Sequence, residues 1–286
     1  MGKIKENVSL LPFTTFKIGG KARYFFSAKN KEDIIEALKI SKEKDIPFFI
    51  LGNGSNLLVS DKGFSGMIIK MDNNSFEIKG SLIKAQAGVS LKDLVKASSL
   101  NSLSGLEWAA GIPGSVGGAV RGNAGAFGES MADITKEVVA IDSSSLETLS
   151  FGNCNFAYRE SIFKGNSNLI IIEALFELKK GNLEEINDRI KKNLSYRKER
   201  HPLDFPSAGS VFKNPEGFSA AKLISECGLL GKKIGKAQIS KKHPNFIINL
   251  GGAKDKDVLS LIDLAKKEVK NKFGVDIKEE IKTLGF

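Results

Sequence analysis

Apolar residues recur at helical spacing in some stretches of the chain and gather into short runs in others. Ile34, Ile35, Leu38 and Ile40 fall on one side of a helix over Lys31–Lys44, with Asn30 placed to cap it. Pro47–Leu51 is short, rich in Phe and Ile and punctuated on both sides, so it reads as a buried strand that runs into Gly52-Asn53-Gly54-Ser55-Asn56. Met67–Met71, Ser75–Lys79 and Leu82–Ala87 read as strands between Asn, Gly and Ser turns. Ser90 followed by Asp93 is a capping box with the shorter acid, and it opens a further helix. Strand character returns at Lys136–Ile141 and Leu169–Leu178. Leu183, Ile186, Ile190 and Leu194 then mark a helix that stops before Pro202. A polar, proline-bearing stretch follows, then a short helix ending at Gly228, a strand at Asn245–Leu250 and a helix over Asp255–Phe273 closed by Gly274. The order is α+β, without strict βαβ alternation or internal repeats, and a domain boundary falls near Pro202.

Composition narrows the class. At 286 residues the chain can hold two or three small domains, and 41% hydrophobic with 27% charged residues argues against disorder and against a coiled coil. No apolar run is long enough to span a membrane, and the first nine residues lack the apolar centre of a signal peptide, so a cytoplasmic protein is expected. Cys154 and Cys227 are too few for a disulfide framework or a cysteine zinc site; both read as structural thiols, and no metal is expected. A net charge of +10 suits polyanions of several kinds, including nucleotides. The lysines are scattered without interleaved aromatics, which disfavours nucleic acid, and no membrane partner is expected.

Glycine usage carries the chemistry. In Gly52-Asn53-Gly54-Ser55-Asn56 a strand gives way to residues that let the backbone turn tightly and aim its N–H groups into a concavity. Leu57 stands where the dinucleotide-binding fingerprint needs glycine, and no Gly-Lys-Ser/Thr follows, so the Rossmann and P-loop readings both fail. Between Gly105 and Gly128 glycine is too frequent for an element interior, which predicts a long ordered loop with one short helical stretch. Its small residues, among them Gly111, Pro113, Gly114, Gly117, Gly118, Ala119, Asn123, Ala124 and Gly125, permit close approach of a flat, extended ligand and leave amide donors for a pyrophosphate.

Together the two loops resemble the FAD-binding part of the UDP-N-acetylenolpyruvoylglucosamine reductase family. The resemblance also takes in Thr15-Phe16-Lys17-Ile18-Gly19-Gly20, Tyr158-Arg159-Glu160-Ser161, Ser207-Ala208-Gly209-Ser210-Val211-Phe212-Lys213-Asn214-Pro215, Ser240 to Asn249, and Glu280-Ile281-Lys282-Thr283-Leu284-Gly285. It implies an α+β fold of the vanillyl-alcohol-oxidase type: two FAD-binding subdomains at 1–70 and 71–195, then a smaller substrate-binding domain at 196–286 whose last segment returns to the active site. The short length resembles the subclass that lacks an extra tyrosine-bearing substrate loop. His201 and His243 lie outside both glycine loops, so FAD is expected to be held noncovalently.

The same resemblance implies NADPH-dependent reduction of UDP-N-acetylglucosamine enolpyruvate in peptidoglycan precursor synthesis, by a monomer. It assigns Arg159 to the substrate carboxylate, Ser210 to proton donation, and Glu280, in preference to Glu279, to the substrate's enolate-like carboxylate. Tyr158, Lys213, Asn214, Gln238 and Asn245 are its substrate contacts. Arg121, Gly122 and Lys236 depart from the family pattern. Two other readings stand beside this one: a different FAD-dependent oxidase of the same fold, and a basic nucleotide- or nucleic-acid-binding protein.

Overall fold

The computed structural model describes residues 4–286. Two compact units divide the chain. One comprises the chain up to Lys5, Tyr24–Asn53 and Gly66–Tyr196; the other comprises Glu6–Arg23, Gly54–Ser65 and Arg197–Phe286.

In the first unit, strand Phe48–Leu51 pairs in parallel with the Met67–Lys70 part of strand Phe64–Met71, Phe48 opposite Met67. The helix Lys31–Glu43 that precedes them begins as its sequence requires: the Asn30 side chain accepts a hydrogen bond from the Asp33 amide. A second, antiparallel sheet runs in the order Thr148–Phe151, Thr135–Asp142, Leu169–Glu177, Leu82–Gln86, Phe76–Lys79. Leu169–Glu177 is central and nearly continuous in burial, which explains its run of Leu, Ile and Phe; Phe76–Lys79, at the edge, is mostly exposed and mixes charge. Helix Leu91–Leu100 starts at Ser90, whose Oγ accepts from the Asp93 amide and donates to the Asp93 carboxylate. Phe26, Trp108, Phe163 and Phe176 are fully buried in the core, and each such side chain stabilises the fold by about 1.5–3 kcal/mol. Trp108 keeps its indole N–H satisfied by the Gly105 carbonyl at 3.1 Å.

The second unit is built on an antiparallel sheet in the order Ser207–Ser210, Phe246–Asn249, Ala237–Ile239, Lys233–Ile234. Strand Lys282–Leu284 pairs in parallel with Leu57–Val59. Helix Asp255–Phe273 contributes Val258, Leu261, Ile262, Ala265 and Val269 to a core shared with Phe16, Ile18, Phe212 and Ile247. Asp257 serves two elements at once: its carboxylate accepts from the Lys254 amide at the helix start and from the Lys236 amide at the tip of the Lys233–Gln238 hairpin. Lys236 therefore occupies a turn fixed from below.

The expected helices are present within a residue or so of their sequence limits. Several strands left no readable pattern: Lys5–Ser9, Lys21–Ala28, Leu57–Val59, Thr148–Phe151, Ala237–Ile239, and Ser207–Ser210 inside the stretch that reads only as polar and proline-bearing. Most are three to five residues long, too short to display a period.

Candidate active site

Within the first unit the glycine loops meet at Gly52 and Asn53. The Asn53 amide donates to the Gly114 carbonyl at 3.0 Å, and a Cβ at Gly52 would collide with Ser115 Oγ. Ser115 in turn caps the short helix Val116–Arg121, accepting from the Gly118 amide at 3.5 Å. That helix lies directly on backbone: the Val116 and Gly117 amides donate to Val89 O and Ala87 O, both at 2.9 Å, and a Cβ at Gly117 would stand 2.9 Å from Ala87 Cβ. The amides of Val116, Gly117 and Gly118 are thus engaged by the chain itself, which corrects the expectation that the loop leaves them for a pyrophosphate. Gly125 is likewise required internally, since a Cβ there would come within 2.6 Å of Glu129 O.

Gly118 differs. It is exposed, and a Cβ there would meet nothing nearer than Ser115 Oγ at 3.5 Å. A helical glycine costs about 1 kcal/mol relative to alanine, and no contact inside the protein demands it. Its bare backbone fits a flat group lying against the helix. Gly54 and Asn56 belong to the second unit. Gly54 has φ +59° and no room for a Cβ against Phe13 O, so only glycine fits.

Arg159 stands at the tip of a tight turn in the first unit. Ala157 and Glu160 exchange reciprocal backbone bonds of 3.1 Å, leaving Tyr158 and Arg159 as the two tip residues. Arg159 has φ +57°, at a position where such turns ordinarily take Gly or Asn. The turn is fastened to the second glycine loop. Arg159 donates to Gly125 O at 3.1 Å and to Asn123 O at 3.5 Å, the Asn123 amide donates to Ala157 O at 2.9 Å, and Ser161 Oγ donates to Arg121 O at 2.7 Å. Burial lowers the pKa of the Arg121 guanidinium, against a smaller opposing pull from Glu160. Tyr158 is exposed, with the Arg159 guanidinium 5.3 Å from its ring centre.

In the second unit, Ser210, Lys213 and Glu280 lie on adjoining backbone. Val211 N donates to Asn245 O, Lys213 N donates to Lys278 O, and Glu280 N donates to Val211 O, at 2.8, 2.9 and 2.7 Å. Asn245 is buried, and its side chain grips Phe212 from both sides, accepting from its amide at 2.9 Å and donating to its carbonyl at 2.8 Å. Gln238, also buried, donates to Gly231 O. Asn214 is exposed, and its Oδ1 caps the next helix through the Ala220 amide. Asn56 donates to Glu280 O at 3.1 Å while its own carbonyl accepts from Lys282 N at 3.0 Å. Glu279 makes a surface ion pair with Lys266 at 2.9 Å.

The Thr15–Gly20 motif braces the second unit. Thr15 Oγ1 donates to Ser207 O at 2.7 Å, and Asn249 Nδ2 donates to Phe16 O and Lys17 O. His201, His243 and Phe246 form an aromatic cluster there. Burial, helped by His243, Arg197 and Lys242, holds His201 down to about 4. Burial of Cys154 pushes its thiol up to about 11, and its Sγ donates to Phe151 O, as suits an inert thiol.

Residues 22–145 match the FAD binding domain family. With the loop geometry above, this defines the class: a flavoprotein whose FAD-binding domain lies in the N-terminal half. Residues 201–284 match the UDP-N-acetylenolpyruvoylglucosamine reductase, C-terminal domain family. The chain is 42% identical over 286 residues to the UDP-N-acetylenolpyruvoylglucosamine reductase of Caldanaerobacter subterraneus subsp. tengcongensis, covering 99% of this chain and 94% of that one. To the enzyme of that name from Clostridium perfringens it is 43% identical over 272 residues, 94% and 89% of the two chains. The crystal structure of the Thermus caldophilus reductase superposes with a TM-score of 0.85 at 34% identity, covering all of both chains. The chain belongs to the UDP-N-acetylenolpyruvoylglucosamine reductase family, and its α+β architecture is of the vanillyl-alcohol-oxidase type.

Proposed function

We infer that this protein reduces UDP-N-acetylglucosamine enolpyruvate to UDP-N-acetylmuramate with FAD as cofactor and NADPH as reductant, a step of peptidoglycan precursor synthesis. The observation that carries this reading is family likeness over 99% of the chain, with the Tyr158–Ser161 turn and the Ser210–Lys213 segment inside the matched length. Among the described residues no helix is long and apolar enough to cross a membrane. By ligand, the chain divides into FAD-binding parts at 1–70 and 71–195 and a sugar-nucleotide part at 196–286, whereas by packing 6–23 and 54–65 go with the C-terminal unit.

When bound, FAD supplies the hydride chemistry, passing to the enolpyruvyl group the two electrons taken from NADPH. The protein supplies position and charge. Arg159 holds the substrate carboxylate with a planar fork of donors as negative charge builds on it. Ser210 gives a proton to the carbon beside that carboxylate, and Lys213 offsets the charge left on the hydroxyl. Glu280 orients the carboxylate as it becomes enolate-like. Tyr158, Lys213 and Asn214 contact the sugar nucleotide, while Gln238 and Asn245 support that surface from the core. The bare backbone around Gly118 would take part in holding FAD. Both histidines and both cysteines fall outside the glycine loops, which supports a noncovalent cofactor.

The test is an anaerobic visible spectrum. The purified protein should be yellow, bleach with NADPH, and regain its colour when the enolpyruvyl sugar nucleotide is added, with ping-pong kinetics at steady state. Failure to bleach, or recolouring by oxygen with an alcohol substrate in its place, would overturn the reading in favour of an oxidase or a nucleotide-binding protein.

A further inference from the structure

We propose that Asn123 is a positioning residue for Arg159, setting where the guanidinium meets the substrate carboxylate; the proposal rests on the role given to Arg159 above. Sequence alone places Asn123 among the flavin contacts. In the structure it is 7% exposed, and both ends of its side chain are engaged inside the protein. Nδ2 donates to Ala157 O at 2.9 Å, and Oδ1 accepts from the Ala132 amide at 3.0 Å. Its carbonyl accepts from Arg159 at 3.5 Å. One residue therefore touches the Arg159 turn twice, through the base of the turn and through the guanidinium itself, while anchoring that contact to the segment that begins at Met131.

The backbone at both residues points the same way. Asn123 has φ +40° and Arg159 has φ +57°. Non-glycine residues reach this region at a cost, and such outliers gather where geometry serves function. Glycine would relieve either position, but glycine at 123 would give up the Ala157 and Ala132 bonds, and glycine at 159 would give up the cation. Asparagine is the side chain that tolerates a left-handed backbone while offering a donor and an acceptor together. The substitution Asn123→Asp would keep the bond from Ala132 N but set a carboxylate against Ala157 O, pushing the turn away from the loop.

The experiment is a double-mutant cycle on the FAD-loaded enzyme with N123D, R159A and the pair, following the two half-reactions separately by stopped flow and product binding by calorimetry. Because a misplacement of about 1 Å can cost about 100-fold, N123D should slow flavin reoxidation by the enolpyruvyl substrate about 100-fold and weaken product binding. Flavin reduction by NADPH should stay within about twofold. In the R159A background N123D should add less than about twofold, because neighbours that act through one another are not additive. N123G, which keeps the backbone conformation and loses both side-chain bonds, should show the same pattern and stands in if N123D does not retain flavin. Additive losses, or equal losses in both half-reactions for N123G, would overturn the positioning role. If R159A itself leaves reoxidation unchanged, the role given to Arg159 fails.

Discussion

The two units hold the side chains proposed for the chemistry in different ways. In the first, the parts that fix Arg159 are close in sequence: Asn123, Gly125 and Arg121 lie 34 to 40 residues from their partners at Ala157, Arg159 and Ser161. In the second, the backbone around Ser210 and Glu280 is held at two ranges: Asn245 grips Phe212 from 33 residues away, as near as the partners in the first unit, and Asn56 reaches Glu280 across 224. The first arrangement stores local strain at two left-handed residues. The second stores none there, and instead depends on a sheet and a buried amide. Strain held at two residues, one in the glycine loop and one in the turn it fastens, can be disturbed by a single substitution without unfolding the unit, whereas the second arrangement ties the proposed chemistry to the stability of the whole unit.

The largest expected effect separates chemistry from scaffold. Ser210→Ala should slow reoxidation of the flavin by the enolpyruvyl substrate by about 10²–10⁴, the usual weight of a proton donor, while reduction by NADPH is nearly unchanged; stopped flow reads both, and equal loss in each would remove Ser210 from the chemistry. Next, Asn245→Ala leaves a buried N–H and a buried C=O of Phe212 without partners, so it should destabilise the second unit by about 2–4 kcal/mol in urea melts. A loss of activity without a loss of stability there would erase the contrast drawn above.

A smaller effect follows from pH. His201 is held near 4, below the ordinary histidine value of 6.5, because burial disfavours its charged form. The unfolded chain therefore takes up the proton first. Stability from this residue is complete above about 6.5, falls as pH drops, and is gone below about 4. Both histidines of the chain lie in the second unit, so melting curves across this range should shift for that unit, and His201→Asn should flatten the dependence. Smallest is Gly118→Ala: it should stabilise the apoprotein by up to about 1 kcal/mol yet weaken FAD binding. Tighter FAD binding would show that the bare backbone is not a cofactor surface.

Helices were legible because caps and spacing are local: Asn30, Ser90 and Gly274 act where the sequence places them. The glycine loops were legible as loops, but their amides were not, because whether Gly117 N faces a ligand or Ala87 O depends on a segment well outside the loop. Gln238 and Asn245 show the same limit. An amide side chain offers identical chemistry to a substrate and to a buried backbone, and burial, which decides between them, is a property of the fold. The Thr15–Gly20 motif was visible only as a pattern, and its brace against Ser207 and Asn249 required the tertiary structure.

The collision that keeps a side chain off Gly52 turns one position into two. Ser115 Oγ occupies the space where a Cβ would go, and the same oxygen starts the helix after the second loop. A variant library that samples residue 52 alone should therefore find it restrictive, because any Cβ there has to displace Ser115 Oγ from the helix cap. Sampled jointly with residue 115, it should open, with alanine at 52 admitted once glycine stands at 115. Anyone transplanting these two glycine loops into another scaffold has to carry the pair as one unit of inheritance.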